Sequence, residues 1–86
     1  MPVLDKIEIT VDARGMLCPM PLLKAKQALN KVKVGEIVEV LATDAGSYKD
    51  FHAFARQSSH ELLLAEESNG EYRYWFKKGE VIVRQL

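Results

Sequence analysis

The sequence predicts an α+β fold, a two-layer sandwich in which two helices cover one face of a four-stranded mixed sheet. Residues 6–11 alternate strictly between apolar and polar side chains, which is typical of a half-buried strand. Two later segments, 19–32 and 47–58, each have one apolar face at helical spacing. The elements follow in the order β-α-β-α-β-β, and two helices of this kind can bury their apolar faces on the same side of a sheet. With 86 residues, the chain is expected to form a single domain over residues 1–86.

The strands are predicted from alternation and from β-branched residues. We expect β-structure in five segments, of which the last is a possible short extra strand at the C-terminus: residues 6–11, 36–42, 62–65, 72–77 and 81–83. The first strand would direct Ile7, Ile9 and Val11 toward the core. Ser68-Asn69-Gly70 is typical of the hairpin turn that would join the third and fourth strands.

The two helices are predicted from their apolar stripes and their first residues. Helix one should run from about Pro19 to Val32. Its core face consists of four residues at helical spacing: Leu22, Ala25, Leu29 and Val32. Helix two should run from Ser47 to about Ser58, with Ser47 as the N-cap and Asp50 completing an approximate capping box. Its stripe consists of Phe51, Phe54 and Ala55.

Composition excludes several classes of protein. Twelve basic and twelve acidic residues cancel, so there is no overall attraction to nucleic acid and we expect no direct nucleic-acid binding. One cysteine can build neither a disulfide scaffold nor a cysteine-rich metal site, and the two histidines show no zinc spacing. No apolar run approaches the ~18 residues of a membrane span. With no secretory signal in the first twelve residues, we expect a cytoplasmic monomer that does not contact a membrane.

The single cysteine, Cys18, is the main candidate for chemistry. It lies at the start of helix one, where the helix dipole favours a thiolate, and we expect a modest lowering of its pKa. Pro19 suits the first helical position and Pro21 lies in the same turn, so the prolines position the sulfur and leave only the amides of Met20 and Leu22 to face it. The alternative is that Cys18 is a small buried apolar residue.

Helix one also places apolar residues on its solvent face near Cys18. Met20 and Leu23 fall opposite the core face, and Lys24 and Lys26 lie beside them in the sequence. Exposed apolar side chains with lysines around them suit a docking surface for partner proteins. The alternative is that Met20 and Leu23 are isolated surface residues, which are common.

The run Asp12-x-x-Gly15-x-x-Cys18-Pro19-x-Pro21 resembles the signature of the TusA/SirA-like family of small sulfur-carrier proteins. The similarity extends from about Ile7 to Lys78 through further matching segments: Leu22-Leu23-Lys24-Ala25, Thr43-Asp44-Ala45-Gly46-Ser47, Lys49-Asp50-Phe51 and His60-Glu61-Leu62-Leu63. The resemblance implies a two-layer sandwich like the C-terminal domain of translation initiation factor three. The chain departs from many relatives at Ala45, where they have proline, and in the residues after Lys78.

The resemblance also implies an activity. Cys18 would accept a sulfane sulfur as a persulfide from a donor protein, a cysteine desulfurase or a rhodanese, and pass it to an acceptor protein. Relays of this family feed tRNA thiolation, molybdenum cofactor synthesis or dissimilatory sulfur oxidation. The only group carried would be the covalent sulfur, with no resident cofactor or metal. Two alternatives stay open, an RNA-binding or regulatory module and a thiol redox switch that pairs with a partner's cysteine.

The remaining candidates surround the cysteine motif. Asp12 is interpreted as a loop organiser that accepts backbone N–H groups, and Gly15 as a residue needed for its backbone geometry. Arg14 would screen the thiolate or hold a partner's carboxylate, unless it is a solvated loop charge. Asp44 should lie near Cys18 and either cap helix two or contact a partner. The two histidines, at positions 52 and 60, are expected on the surface and unpaired with Cys18.

Overall fold

The computed structural model describes residues 6–80, and these form the predicted order of elements. The bounds are β1 Ile7–Ala13, α1 Met20–Leu29, β2 Ile37–Ala42, α2 Gly46–Gln57, β3 Glu61–Ser68 and β4 Glu71–Lys77. Residues 81–83, for which a short extra strand was expected, lie outside the described residues. Neither helix within residues 6–80 has the length and apolar character that crossing a membrane would require.

The sheet is mixed, as predicted, and its strand order is β1-β2-β4-β3. β1 runs parallel to β2, whereas β4 is antiparallel to both β2 and β3. Ala13 pairs with Ala42, which in turn pairs with Tyr72. One end of the sheet is therefore formed by the last residues of β1 and β2 and the start of β4.

The core lies between the sheet and the two helices, which confirms the two-layer sandwich. The sheet contributes alternate residues of its strands, α1 contributes two alanines and Leu29, and α2 contributes aromatic residues. The largest buried side chains of this core are Tyr74, Phe51, Phe76, Leu29, Val38 and Val40. On the other face of the sheet, Trp75 donates to Glu39 across 3.0 Å, and Arg73 pairs with the same carboxylate at 3.6 Å.

Helix α1 is shorter than the predicted segment from Pro19 to Val32. Pro19 occupies the N-cap position, and Pro21 is the buried proline of the first turn. At the other end, the N–H of Lys31 donates to the carbonyl of Ala28, a tighter turn that ends the α-helix. Val32 is nevertheless buried, as expected from its place on the core face.

The core face of α1 differs from the prediction in its first turn. Ala25 and Leu29 are buried as expected, but Leu22 is only half-buried, and Pro21 and Ala28 take its place in the buried set. Pro21, and not Leu22, is therefore the residue of the first turn that packs into the core.

Helix α2 begins one residue before the predicted start, and its first turn is built differently. Ala45 is at the N-cap position and no side chain caps the helix, so the interpretation of Ser47 and Asp50 as a capping box is wrong. Ser47 is buried instead, and its hydroxyl lies 2.7 Å from that of Tyr74. The stripe of Phe51, Phe54 and Ala55 is confirmed as the face turned to the core.

The two edge strands are clearly longer than predicted, whereas β2 begins one residue later than predicted and β4 one residue earlier. β1 continues to Ala13, and β3 extends well beyond the predicted residues 62–65. The register of β3 shifts between Leu62 and Leu64, so that Leu62 pairs with Phe76 and Leu64 with Trp75. A bulge of this kind removes the simple alternation that strand prediction depends on.

Candidate functional site

Cys18 lies in the loop between β1 and α1, at the end of the sheet where β1 and β2 finish. Its side chain is exposed, and the thiol is free. The prediction of a loop-to-helix position is confirmed. The alternative interpretation, a small apolar residue in the core, is wrong.

The loop before Cys18 is held by a short network around Asp12. The carboxylate of Asp12 accepts from the backbone N–H of Arg14 at 3.2 Å and from its guanidinium Nε at 2.9 Å. Gly15 has a φ of +83°, in the left-handed region that favours glycine, and its N–H donates to Thr43 Oγ1 at 2.8 Å. These contacts agree with the roles predicted for Asp12 and Gly15 and fasten the loop to the end of β2.

Arg14 is engaged with acidic side chains on the protein's own surface. Besides Asp12, its guanidinium reaches Glu71 at 4.0 Å, and both contacts are partly exposed. The Asp12 pair lowers the pKa of that carboxyl to about 2, chiefly through the hydrogen bond from Arg14. The charge of Arg14 is therefore directed to Asp12, and a contact with a partner's carboxylate stays a prediction.

Of the two amides in the first turn of α1 that were expected to face the sulfur, that of Met20 does not do so. The N–H of Met20 donates to the carbonyl of Leu17 at 2.8 Å, so it is already used within the loop. Neither proline has an N–H to offer. The Met20 amide is therefore not available to stabilise a thiolate.

The hydrogen-bond partner of the thiol comes from the other helix. Cys18 Sγ donates to Oδ2 of Asp50, in the second turn of α2, at 3.0 Å. The pKa of Cys18 is raised, and the hydrogen bond to Asp50 is the largest cause. Desolvation of the thiol and the negative charges of Asp50 and Asp44 raise it further. A carboxylate acceptor favours the neutral thiol and repels the thiolate. The expectation of a lowered pKa is therefore wrong.

Asp44 lies close enough to act on the charge of Cys18, as predicted, but it does not cap α2. No side chain caps this helix; Asp44 accepts from the N–H of Ser47 only through its backbone carbonyl, at 3.0 Å. Asp44 is half-buried, and its Oδ2 atom is buried without a hydrogen-bond partner among the described residues. Of its two predicted roles, capping is wrong and contact with a partner stays a prediction.

Three exposed apolar side chains surround the cysteine motif. Met20 and Leu23 are 41% and 42% exposed, which confirms their predicted position on the solvent face of α1. Leu17, which was not predicted, is 73% exposed directly before Cys18. Because Leu17 lies in a loop, no periodicity in the sequence signals its exposure. We call Leu17, Met20 and Leu23 the apolar patch.

The lysines of α1 lie on different sides of the helix. Lys24 is half-buried and lines a shallow surface cavity together with Thr10 and Val11 of β1. Lys26 is exposed, and its ammonium lies 5.3 Å from the centre of the Phe54 ring on α2. Positive charge is thus present on both flanks of the helix that carries the apolar patch.

The histidines play no part in the hydrogen bonding of Cys18, in agreement with the sequence. His52 Nδ1 contacts the carbonyl of Tyr48 at 2.8 Å, and His60 Nδ1 accepts from the N–H of Gly79 at 3.0 Å. Both are half-buried, so they lie at the surface as expected without being fully exposed, and burial lowers the pKa of His60. Between residues 6 and 80, no group of three potential ligands could hold a metal ion.

Comparison with known proteins places this geometry in a family. The family model described as Sulfurtransferase TusA matches residues 9–78, which include the whole loop, both helices and nearly all of the sheet. The chain belongs to the TusA family. The family expected from the sequence motif is thus confirmed.

Individual relatives agree with this assignment. The chain is 46% identical to the sulfur carrier protein TusA of Allochromatium vinosum over 68 residues, covering 79% of this chain and 90% of that protein. It is 40% identical to the putative sulfur carrier protein YrkF of Bacillus subtilis over 86% of its own length, which corresponds to 40% of that longer protein. A SirA-like protein from Desulfitobacterium hafniense has a similar solved structure, with a TM-score of 0.65 at 33% identity, covering 84% of this chain and 99% of that one.

Proposed function

We propose that this protein is a sulfur carrier that accepts a sulfane sulfur on Cys18 as a persulfide and passes it to an acceptor protein. The observation that carries the proposal is the exposed thiol of Cys18 on a fastened loop beside the apolar patch. The names of the relatives, sulfur carrier proteins, support the same role. Cys18 is the chain's only cysteine, so no second thiol of its own can attack the persulfide, form a disulfide and release the bound sulfur as sulfide.

The transfer is a thiol exchange in which atoms balance. The sulfur of Cys18 attacks the outer sulfur of a donor persulfide, R–S–SH. A bond forms between Sγ and that outer sulfur, the S–S bond of the donor breaks, and the donor leaves as R–SH after receiving a proton. The products are Cys18–S–SH and a free donor thiol, and the same exchange in reverse roles delivers the sulfur to the acceptor.

Both partners have to reach the same sulfur in turn. We propose that the donor, a cysteine desulfurase or a rhodanese, and the acceptor use the apolar patch as their contact. Lys24 and Lys26 would steer acidic partner surfaces toward α1, because surface charge affects the rate of encounter more than the affinity. A patch of three side chains suits transient contacts, which a carrier needs in order to release its cargo.

The test is loading of the purified protein. It is incubated with a cysteine desulfurase and cysteine, and its intact mass is measured under non-reducing conditions. The proposal predicts an added mass of one sulfur atom in the wild type and none in Cys18→Ala. An adduct that persists in Cys18→Ala, or its absence from the folded wild type, would overturn the assignment.

A further inference from the structure

The thiol of Cys18 is hydrogen-bonded to the carboxylate of Asp50, although the exchange of sulfur at Cys18 does not itself require a carboxylate. Thirty-two positions separate them, and they meet because α2 packs beside α1 at the end of the sheet. Asp50 is half-buried, and the residue after it, Phe51, is fully buried against Tyr74 with the two ring centres 4.1 Å apart. The helix backbone that carries the carboxylate is therefore anchored to the core by the neighbouring Phe51.

The charged groups that raise the pKa of Cys18 are all negative. Asp50 from α2 and Asp44 from the loop before it are the charged groups that act on Cys18, and both raise its pKa. From the loop of Cys18 itself, Arg14 is paired with Asp12. From α1, Lys26 lies over the ring of Phe54. The free carrier thus presents an exposed thiol in an acidic setting, opposite to the electropositive setting of reactive cysteines.

We propose that Asp50 is a positioning residue that keeps Cys18 in its neutral thiol form in the free carrier, and that a docked donor activates the sulfur by bringing a positive charge to Asp50. Only the second part of this inference, activation by a docked donor, rests on the proposed function. As the donor's cation pairs with the carboxylate, the hydrogen bond from Sγ is lost and the proton of the thiol leaves to the departing donor sulfur. The exchange still yields Cys18–S–SH and R–SH, with no additional reactant.

The physical reason is that a carboxylate has opposite effects in the two states. When it is unpaired, the carboxylate accepts a hydrogen bond from the S–H group and repels a thiolate. It also repels a small anionic persulfide that approaches Cys18 without a donor protein. Paired with a lysine or arginine, it loses most of that effect. Cys18 would then react slowly with small electrophiles and oxidants, and readily within the complex with its donor.

The first experiment measures the thiol without any donor. The rate of alkylation by iodoacetamide, a neutral reagent, is followed against pH by mass spectrometry. The wild type should show a midpoint above that of an ordinary cysteine, and Asp50→Asn should show a lower one. For each pH unit by which the midpoint falls, the rate at neutral pH should rise about threefold, because about tenfold more thiolate is offset by about threefold lower nucleophilicity.

Two variants separate charge at this site from charge or structure in general. Asp50→Glu keeps a carboxylate and should keep a midpoint closer to the wild type than Asp50→Asn does. Glu71→Gln removes another exposed carboxylate from the same end of the sheet, where Glu71 contacts Arg14 at 4.0 Å, and it should leave the midpoint unchanged. If Asp50→Asn does not fold, the wild-type midpoint alone decides, because a value at or below that of a free cysteine contradicts the proposal.

The second experiment compares alkylation with loading by a desulfurase. Asp50→Asn should accelerate alkylation at neutral pH but should not accelerate loading, because the donor already neutralises Asp50. An equal rise in both rates would overturn activation by the donor, and an unchanged alkylation midpoint would overturn the role of Asp50 altogether. If the wild type takes up no sulfur at all, the proposed function fails, whereas the alkylation midpoints still decide whether Asp50 keeps the thiol neutral.

Discussion

The hydroxyls of Ser47 and Tyr74 lie 2.7 Å apart inside the protein and join the first turn of α2 to the middle of β4. Both side chains are buried, so each hydroxyl depends on the other for its hydrogen bond. Phe51 follows one turn later on the same helix and stacks on the ring of Tyr74. Together these contacts hold α2 on the sheet and set the place of Asp50.

Ser47→Ala should therefore lower the free energy of unfolding by about 1–3 kcal/mol, because it leaves the Tyr74 hydroxyl buried without a partner. Urea denaturation measures this value. Adding Tyr74→Phe removes the stranded hydroxyl, so the double variant should cost less than the sum of the two single variants. Strict additivity would show that the two hydroxyls are not coupled.

Tyr74 should also make stability depend on pH in alkaline solution. Burial raises the pKa of Tyr74 to about 12, whereas an unfolded tyrosine ionises near about 10. The unfolded state loses its proton first, so this contribution is complete below about pH 10 and is lost as the pH rises toward about 12. The difference in phenolate absorbance between the wild type and Tyr74→Phe should show the late ionisation, and an ordinary midpoint for Tyr74 would contradict it.

Asp12 should titrate unusually low because of its contact with Arg14. The pKa of Asp12 is about 2, below the ordinary value of 3.8. The contact with Arg14 therefore stabilises the folded state at pH values above 3.8, and this stabilisation is lost as the pH falls through about 2. The carboxyl carbon shift of Asp12, followed by NMR, should show this midpoint, and Arg14→Gln should return it toward the ordinary value. The effect on stability should be small, because the pair is exposed.

The apolar patch should govern loading by a donor protein and not the thiol itself. Leu17→Glu or Leu23→Glu should slow sulfur uptake from a desulfurase by about tenfold, the effect of losing ~1.4 kcal/mol of binding free energy. In the uncharged variants Leu17→Gln and Leu23→Gln, which add no carboxylate near the sulfur, uptake should still be slowed while alkylation of Cys18 by iodoacetamide stays close to the wild-type rate. Uptake measured at limiting donor concentration tests this.

Val34→Glu is the matched control for the apolar patch. Val34 is also an exposed apolar residue, at 58%, but it lies next to Gly35, whose N–H bonds to Lys78 at the opposite end of the sheet from Cys18. It should leave uptake unchanged. Equal slowing by Val34→Glu and Leu17→Glu would show that general surface charge, and not the patch, determines the rate.

The types and order of the elements could be predicted from the sequence, because alternation and helical stripes report which side of each element is buried. The exact ends of the elements could not be predicted. The C-terminal end of α1, for example, is set by the local hydrogen bond from Lys31 to Ala28, which periodicity does not reveal. The bulge after Leu62 likewise breaks the alternation that would have shown the full length of β3.

The site was predicted in part for a similar reason. Cys18, Asp12 and Gly15 belong to one local motif, and the structure gives them the expected geometry. The contact between Cys18 and Asp50 depends on how two helices pack, which no spacing in the sequence expresses. The wrong sign of the expected pKa shift of Cys18 follows directly from that missing contact.

The most direct test of the central claim is the discharge of the loaded protein. The protein is loaded by a desulfurase, separated from the donor and cysteine, and treated with dithiothreitol, while sulfide release and intact mass are followed. If Cys18 carries a transferable sulfur, one sulfide should be released for each loaded chain, the mass should return to that of the unloaded protein, and Cys18→Ser should release none. A mass adduct that resists dithiothreitol, or sulfide release undiminished in Cys18→Ser, would contradict the assignment of a persulfide carrier.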